Sequence, residues 1–285
     1  MKNTSLKSLV KSAERGEVVL PYLKAHLLKE AEEGVSHNEI VMADAKMTVD
    51  CFTYRLKAYN HGEKPKQALF HPSALSTCQR RLWYEHHQAP ADATKGGADM
   101  LRTHMVFEIG TYAHVIIQNL CERAGILVAR EIPIVDLKLK ILGHADGHLR
   151  INKEDYLLEF KTSNARSFTM LNGPQEGHIK QAHGYMKSLG FKKACIIYFN
   201  KDSAELKEFV VPYSEDFYQR FVAKRIESHF KNLAVHIPPD REGASPTTMP
   251  CLYCQFTQVC FETRAGNEFA ALLKKKFSAR KLLRP

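Results

Sequence analysis

Five short segments rich in β-branched and aromatic residues, interrupted by a single helical pattern, place the strongest constraint on the fold of this chain. The five segments span residues 130–135, 140–151, 156–161, 194–200 and 206–212. The helical pattern, residues 178–189, separates the third segment from the fourth and ends at Gly190. Because parallel strands need a long crossover whereas antiparallel strands need only a turn, this order predicts a mixed sheet in an α/β fold.

Further helices are predicted around this core. Apolar residues spaced by three or four predict a long helix over residues 99–124, and Gly125 is placed to end it. Ser214 is predicted to cap a helix that runs to about residue 232, and Ser73 to cap a short helix that carries Cys78.

Composition divides the chain into three predicted parts. Residues 1–65 form a helical N-terminal extension, residues 66–236 form the α/β core, and residues 237–285 form a Pro- and Gly-rich linker, a cysteine-containing segment and a basic tail. Two sets of apolar residues at helical spacing support the helices of the extension: Leu6, Leu9, Val10 and Ala13, then Leu23, Leu27, Leu28 and Ala31. We interpret the extension as a helical wrap that packs on the core.

Two carboxylates and a lysine are expected to meet where the second and third strands pair. Asp146 lies in the second strand, and Glu159 and Lys161 lie two residues apart in the third, so that both project from one face. In an antiparallel hairpin Asp146 and Glu159 converge and repel each other, and Mg²⁺ or Mn²⁺ between their oxygens removes that repulsion. Lys161 beside such an ion would position an attacking water, which predicts a phosphodiester-hydrolysing centre.

The alternative for these residues is a solvated hairpin with an incidental charge pair, because Glu-x-Lys is common on exposed strands. The surrounding residues 157–161 count against it. They are apolar enough for a central strand, where an unpaired Glu and Lys would be costly to bury.

Four ordered elements of the sequence resemble the PD-(D/E)XK nuclease superfamily, in its RecB-like branch. Gly-x-x-Asp spans residues 143–146, Glu-x-Lys spans 159–161, a helical Gln-x-x-x-Tyr spans 181–185, and Gly-x-x-x-His on an upstream helix spans 110–114. The resemblance covers roughly residues 70–262. It implies a restriction-endonuclease-like core, with a mixed sheet flanked by helices.

The resemblance also implies a role for each matched residue. The implied metal ligands are His114, Asp146, Glu159 and the backbone carbonyl of Phe160. Lys161 would support the water nucleophile, while Gln181 and Tyr185, one turn apart on a helix, would complete the catalytic site and line its DNA side. Three further histidines receive no role and are expected to be structural or DNA-facing: His144, His178 and His183.

Four of the seven cysteines form a predicted cluster site. Cys251, Cys254 and Cys260 have the spacing C-x₂-C-x₅-C, and Cys78 is the candidate fourth ligand. Spacing alone fits either a structural Zn²⁺ or a [4Fe–4S] cluster, and free thiols are a third alternative. One cysteine before the core and three after it resemble the iron–sulphur subset of the RecB-like branch, which includes AddB-type nucleases and the stand-alone CRISPR-associated RecB-like exonuclease. This resemblance implies a structural [4Fe–4S] cluster. The remaining cysteines are expected to be buried apolar residues: Cys51, Cys121 and Cys195.

The charge of the chain favours a polyanionic partner. The 285 residues include 41 Lys and Arg against 31 Asp and Glu, which gives a net charge of +10. Arg80 and Arg81 beside Trp83 and Tyr84 suit single-stranded nucleic acid, through phosphate contact and base stacking. The alternative is that the two aromatic rings pack in the core beside the cluster. The basic tail from Lys274 would add unspecific phosphate contacts.

Several motifs that would indicate other functions are missing from the sequence. The longest uncharged apolar run, residues 194–199, is far shorter than the ~20 residues of a spanning helix, so no membrane association is expected. The N-terminus lacks an apolar signal segment and the number of cysteines is odd, which favours the reducing cytoplasm, that of a host cell if a phage encodes the chain. There is no phosphate loop of an ATP-driven motor.

The combined prediction is a metal-dependent DNA nuclease, an exonuclease that favours single strands or DNA ends. It would act alone or with a protein partner in a recombination, replication or adaptation complex. The competing prediction is a non-catalytic nucleic-acid-binding or adaptor subunit that keeps the nuclease fold. The clustered carboxylates argue against the competing prediction, because a face that only binds phosphate has no need of them.

Overall fold

The structure is a computed structural model that describes residues 14–60, 68–92, 100–235 and 237–282. Its strands are β1 (Glu14–Arg15), β2 (Leu127–Asp136), β3 (Ile141–Ile151), β4 (Glu154–Ser163), β5 (Lys193–Asn200) and β6 (Leu206–Pro212). Its helices are α1 (Leu20–Glu32), α2 (His37–Asn60), α3 (Gln79–His86), α4 (Met100–Arg123), α5 (Ala165–Thr169), α6 (Glu176–Leu189), α7 (Glu215–Phe217), α8 (Lys224–Leu233), α9 (Thr257–Phe261) and α10 (Thr263–Leu282).

The chain divides into two compact units. The first unit takes its residues from the chain up to Leu75 and from Phe107–Ala223, and it contains the sheet. The second takes Ser76–Val106 and the chain from Lys224 onward, and it contains the four cysteines of the predicted cluster site. The three-part division predicted from the sequence stays a prediction.

The sheet of the first unit has the order β1-β6-β5-β4-β3-β2. Only β4 and β5 are parallel, and the crossover between them carries α6. Because the five predicted strands and the crossover helix are all present, the predicted α/β fold with a restriction-endonuclease-like mixed sheet flanked by helices is confirmed.

The β3–β4 hairpin is set by its two-residue turn. Asn152 and Lys153 both have positive φ, 50° and 66°, as a type I′ turn requires. This turn matches the right-handed twist of the flanking strands and fixes the register that pairs Gly147 with Leu158.

Helices cover both faces of the sheet. Leu158 and Phe160 of β4 point into an apolar cluster with Ala113 and Ile117 of α4. The alternate residues of β4 face α6, whose Gln181 contacts Lys161. The long predicted helix is therefore present as α4, and Gly125 ends it with a left-handed φ of 69°.

The N-terminal helices pack on the core, as the wrap interpretation expects. Leu23 of α1 lies in the apolar cluster of the sheet, and Asn119 of α4 donates hydrogen bonds to Asp44 O at 3.3 Å and Thr48 Oγ1 at 3.1 Å in α2. Leu27 and Leu28 of the predicted pattern are exposed. The predicted helix at residues 6–13 lies outside the described residues.

Three local predictions need correction. Residues 14–15 are not helical but pair with β6 at the sheet edge, a position set by tertiary contact rather than by local pattern. Ser73 does not cap the helix of Cys78, because it lies within a 3₁₀ turn at Pro72–Ser76 and Cys78 itself occupies the N-cap of α3. The helix that Ser214 caps is short, and a π-helical segment at Tyr218–Ala223 separates it from α8.

Candidate active site and cysteine cavity

The candidate active site lies where β3 and β4 separate. Their ladder runs from Ile151↔Glu154 to Gly147↔Leu158, and the next opposed residues in this register are Asp146 and Glu159. Beyond Leu158, β4 continues to pair with β5 but not with β3. The two carboxylates therefore flank the point at which the sheet opens, as the hairpin prediction expects.

Asp146 is held on three sides. Its Oδ2 accepts a hydrogen bond of 2.6 Å from the Phe160 N–H, which the separated ladder would otherwise leave without an acceptor. Its Oδ1 lies 3.3 Å from His114 Nδ1, and its backbone carbonyl accepts a hydrogen bond of 2.8 Å from Gln118 Nε2. The His114 ring packs edge-on against Phe160, with centroids 5.0 Å apart. The orientation of the carboxylate is thus fixed by both strands and by α4.

Lys161 links the second carboxylate to helix α6. Its Nζ lies 2.5 Å from Glu159 Oε1 and donates to Gln181 Oε1 at 3.2 Å. Glu159 is 1% exposed, so this ammonium is the counter-ion of a carboxylate that has almost no contact with water. The structure brings together His114, Asp146, Glu159, Lys161 and Gln181.

Burial and charge move the pKa values of these groups in opposite directions. Burial raises the pKa of Glu159 to about 7, with a further contribution from the charge of Asp146, while Lys161 acts against the rise. Burial also opposes ionisation of Asp146, but His114, Lys161 and the Phe160 amide together hold its pKa below the usual value. Two carboxylates at one site thus differ in proton affinity, which is a frequent property of functional sites.

Tyr185 explains why the Gly-x-x-Asp element needs its glycine. A Cβ on Gly143 would lie 2.8 Å from the Tyr185 hydroxyl oxygen and 3.0 Å from its Cε1, closer than atoms in contact can approach. Tyr185 is 3% exposed, and burial together with the charges of Glu159 and Asp146 raises its pKa. The DNA-lining role predicted for Tyr185 stays a prediction; the observed role is to pack α6 against β3.

A second layer of buried polar groups, which the sequence patterns did not reveal, supports Asp146. Gln118, on α4 one turn after His114, donates from Nε2 both to the Asp146 carbonyl and to Glu131 Oε1 at 3.0 Å. Glu131 is buried and has a φ of 48°, a left-handed conformation that is strained for a residue with a side chain. Cys51 of α2 completes the network with an Sγ–Gln118 Oε1 distance of 3.6 Å. Only the register of β2 on β3 could have placed Glu131 opposite Asp146.

The donor set fits a hard divalent cation. Two carboxylates and an imidazole are ligands that Mg²⁺ and Mn²⁺ accept. Two of their atoms are buried without a well-oriented hydrogen bond: Glu159 Oε2, and His114 Nδ1, whose contact is Asp146 Oδ1 at 3.3 Å. Within the described residues no three His, Cys, Asp or Glu side chains stand close enough together to hold an ion without rearrangement. The fit therefore rests on the chemistry of the donors and on these two unsatisfied atoms.

The four predicted cluster cysteines line one cavity in the second unit. The cavity has a volume of about 170 Å³, and its lining includes Cys78, Cys251, Cys254 and Cys260, all with free thiols. Asp92 fixes the helix of Cys260, because its carboxylate accepts N–H bonds from Thr257 at 2.9 Å and Gln258 at 3.1 Å. Glu242 accepts from Gln79 N at 3.0 Å, next to Cys78. Residues far apart in sequence thus converge on one thiol-lined space.

The lining of the cavity combines thiols with positive charge. The walls also fit closely around the thiols, since a Cβ on Gly243 would lie only 2.4 Å from Cys251 Sγ. Arg80, Arg81 and Arg241 line the same space and would offset the negative charge of a thiolate-bound cluster.

The aromatic residues and the arginines that follow Cys78 have different outcomes. Trp83 and Tyr84 are buried, so the alternative that they pack in a core is confirmed. Arg80 donates to Tyr84 Oη at 3.1 Å and to Pro239 O at 2.8 Å, and Arg81 pairs with Glu85 at 2.9 Å. The predicted contacts of both arginines with nucleic acid stay predictions.

The other three cysteines behave as expected. Cys51, Cys121 and Cys195 are fully buried in the first unit. Burial raises the pKa of Cys121 to about 12, which suits an apolar thiol rather than a reactive one. No helix among the described residues has the length and apolar character needed to cross a membrane.

Comparison with known proteins gives a distant likeness in structure and none in sequence. No protein-family model and no curated protein matches the chain. Among solved structures, the crystal structure of SSO0001 superposes with a TM-score of 0.48 at 18% identity, covering 75% of this chain and 96% of the other. The alkaline exonuclease LHK-Exo from Laribacter hongkongensis gives a TM-score of 0.40 at 12% identity, with 59% and 88% covered. At these values neither likeness assigns an activity to this chain.

Proposed function

We propose that this chain is a metal-dependent nuclease that hydrolyses phosphodiester bonds in DNA. The observation that carries the proposal is the convergence of Asp146, Glu159 and Lys161 at the opening of the sheet, with Gln181 holding the lysine. Burying two carboxylates and an ammonium costs desolvation free energy, which favours a functional role for the group. Its oxygen donors suit a divalent ion. The resemblance to the PD-(D/E)XK superfamily implies that such a group cleaves DNA.

The residues divide the work of hydrolysis between them. His114, Asp146, Glu159 and the Phe160 carbonyl would hold Mg²⁺ or Mn²⁺, and the ion would lower the pKa of a bound water and polarise a phosphoryl oxygen. Lys161, kept in place by Gln181, would donate hydrogen bonds to the attacking water or to the phosphoryl oxygens that carry the negative charge of the transition state.

Neighbouring buried residues hold the groups of the candidate site in position. Gln118 and Glu131 fix the backbone of Asp146, and Tyr185 holds α6 against Gly143. Groups that are already oriented need no reorganisation when the transition state forms.

The substrate proposed is DNA with a single strand or a free end, which the chain would degrade as an exonuclease. This follows from the resemblance to the RecB-like branch and from the net charge of +10, which favours a polyanion. A protein partner in a recombination, replication or adaptation complex and a cytoplasmic site of action belong to the same proposal.

The four cysteines are proposed to hold a structural [4Fe–4S] cluster, with Zn²⁺ as the alternative. What supports it is the shared 170 Å³ cavity and its arginine lining. The cluster would hold the segment of Cys251–Cys260 to the helix of Cys78, and so close a long loop of chain.

The experiment for the active site compares Asp146→Asn with Asp155→Asn. Asp155 lies on the same hairpin but pairs at the surface with Arg150 at 2.8 Å. With Mg²⁺ or Mn²⁺, we expect the wild type and Asp155→Asn to cleave labelled linear DNA at similar rates, and Asp146→Asn to be at least about 100-fold slower. Equal cleavage by all three would refute the site. DNA binding without cleavage by any of them would favour the adaptor alternative.

The experiment for the cysteines is an iron and zinc assay after anaerobic purification. We expect about four irons per chain in the wild type and almost none in Cys254→Ser, while Cys195→Ser keeps its iron because Cys195 lies in the sheet. Zinc in place of iron would establish the alternative, and no metal in the wild type would refute both.

A further inference from the structure

His178 shares a helix face with two residues of the candidate site, Gln181 and Tyr185. It precedes Gln181 by three residues and Tyr185 by seven, which places all three on one side of α6. Burial and the charge of Lys161 lower its pKa to about 3, so the imidazole is neutral near pH 7. His178 is therefore a neutral imidazole on the face of α6 that carries Gln181.

Tyr198 fixes the orientation of this imidazole. Tyr198 lies on β5 directly opposite Lys161 in the parallel ladder. Its hydroxyl oxygen accepts a hydrogen bond of 2.9 Å from the Gln175 N–H and lies 2.8 Å from His178 Nδ1. The ring is almost wholly buried, so the hydroxyl proton needs an acceptor, and Nδ1 is the one within reach. Tyr198 thus donates to Nδ1, and the imidazole carries its own proton on Nε2.

The Nε2–H group is a hydrogen-bond donor that remains available. Among the described residues no hydrogen bond of His178 Nε2 is found, and the side chain is only partly buried, so Nε2–H can donate to a ligand. A protonated Nε2 is a donor and not a metal ligand. Tyr198, the register partner of Lys161 on β5, thus holds a second donor, His178, on the helix face that also carries the Gln181 contact of Lys161.

We infer that His178 binds a non-bridging oxygen of a substrate phosphate through Nε2–H, with Tyr198 holding the imidazole in the required tautomer. The inference rests on the proposed phosphodiesterase function and names a substrate contact within it. A neutral donor suits this place, because an anionic oxygen gains a hydrogen bond without another cation being added beside Lys161. The ligand class is thus a phosphodiester of a nucleic acid strand.

The experiment measures DNA binding in Ca²⁺ with Asp146→Asn as the background, so that cleavage does not interfere. The probe is a single-stranded oligonucleotide in which one phosphate at a time is replaced by a neutral methylphosphonate. We expect His178→Phe to weaken binding of the unmodified strand about tenfold or more, as loss of a hydrogen bond to a charged group does. One methylphosphonate position should weaken the parent protein by a similar factor but leave His178→Phe unaffected.

Two further variants separate phosphate binding from a structural role. His178→Gln keeps a donor close to the place of Nε2 and should recover affinity to within about threefold, whereas a structural defect would not respond in this way. Tyr198→Phe removes the donor to Nδ1 and also the acceptor of the Gln175 N–H, so it should give an intermediate loss of affinity together with a lower thermal midpoint. The slope of log Kd against log salt should stay the same in His178→Phe, because a neutral donor releases no counterion.

The outcomes that would overturn the inference differ from those that would overturn the function. Cleavage by the wild type together with unchanged binding by His178→Phe refutes the phosphate contact alone. The same holds for a methylphosphonate pattern identical in the two proteins, or for a salt slope that falls by about 0.7 or more. Failure of the wild type to cleave DNA refutes the proposed function, whatever the binding data show.

Discussion

Replacing Gly143 by alanine should disrupt the contact that joins two distant motif elements. The new Cβ would lie 2.8 Å, 3.0 Å and 3.2 Å from the hydroxyl oxygen, Cε1 and Cζ of Tyr185. The aromatic ring is buried and cannot turn out into solvent, so either the ring or the β3 backbone must shift.

Overpacking of this kind costs about 1–3 kcal/mol of unfolding free energy. We expect Gly143→Ala to fall in the upper half of that range, because two of the three short contacts involve ring carbons that cannot bend away. Tyr185→Phe removes the shortest contact and leaves the other two. The double variant should therefore recover about 1 kcal/mol relative to the sum of the single variants.

Urea unfolding followed by far-ultraviolet circular dichroism measures all four proteins of this cycle. Gly110→Ala is the matched control, since Gly110 belongs to another motif element but a Cβ there would meet nothing nearer than Thr162 Oγ1 at 3.9 Å. Because Gly110 lies in the interior of α4, Gly110→Ala should raise the free energy of unfolding by up to about 1 kcal/mol. A Gly143→Ala protein within about 0.5 kcal/mol of the wild type, or a cost that Tyr185→Phe leaves unchanged, would refute the reasoning.

Other contacts of the first unit lead to two further predictions, and the cysteine cavity to a third. Gln118→Met removes the donor shared by Glu131 and the Asp146 carbonyl, so it should lower the free energy of unfolding, measured in urea, by about 2–3 kcal/mol. The same variant should slow DNA cleavage without changing how the rate depends on DNA concentration. Burial lowers the pKa of His183 to about 4. Between pH 6.5 and pH 4 the unfolded chain therefore binds a proton that the folded chain does not. The free energy of unfolding should be highest above pH 6.5 and should fall by about 3 kcal/mol as the pH is lowered from 6.5 to 4. His183→Asn should flatten the curve of unfolding free energy against pH in that interval, and an unchanged curve would contradict the assignment. Cys254→Ser should lower the thermal midpoint of the anaerobically purified protein. Removal of iron by a chelator should lower the thermal midpoint of the wild type to the same value. Different midpoints for the variant and the chelated wild type would show that the cysteine acts apart from the metal.

Local sequence patterns predict most strands of the sheet and most of the residues that meet at the candidate active site. Strand segments and the crossover helix follow from the alternation and spacing of apolar residues, and the stops at Gly125 and Gly190 are left-handed, with φ values of 69° and 80°. Asp146 and Glu159 could be placed opposite each other because the turn at 152–153 sets the register of one short hairpin.

The features that sequence missed depend on contacts between distant segments. The two-residue strand at Glu14–Arg15 is too short for a pattern and exists because β6 offers an edge. Glu131 has the sequence context of an ordinary strand residue, and its φ of 48° departs from the extended backbone on either side of it. The contact of 2.8 Å between His178 Nδ1 and the Tyr198 hydroxyl joins residues 20 positions apart in sequence.

The most direct test of the central claim is the single-turnover rate of DNA cleavage by Lys161→Met, measured beside Lys193→Met. Lys161 is paired with the buried Glu159, whereas Lys193 pairs at the surface with Glu154 at 2.8 Å. With Mn²⁺ and a 5′-labelled single strand in the presence of excess protein, we expect Lys161→Met to be about 100-fold slower or more, and Lys193→Met to be within about threefold of the wild type. Equal rates for the three proteins would contradict the claim that this group of residues hydrolyses the phosphodiester bond.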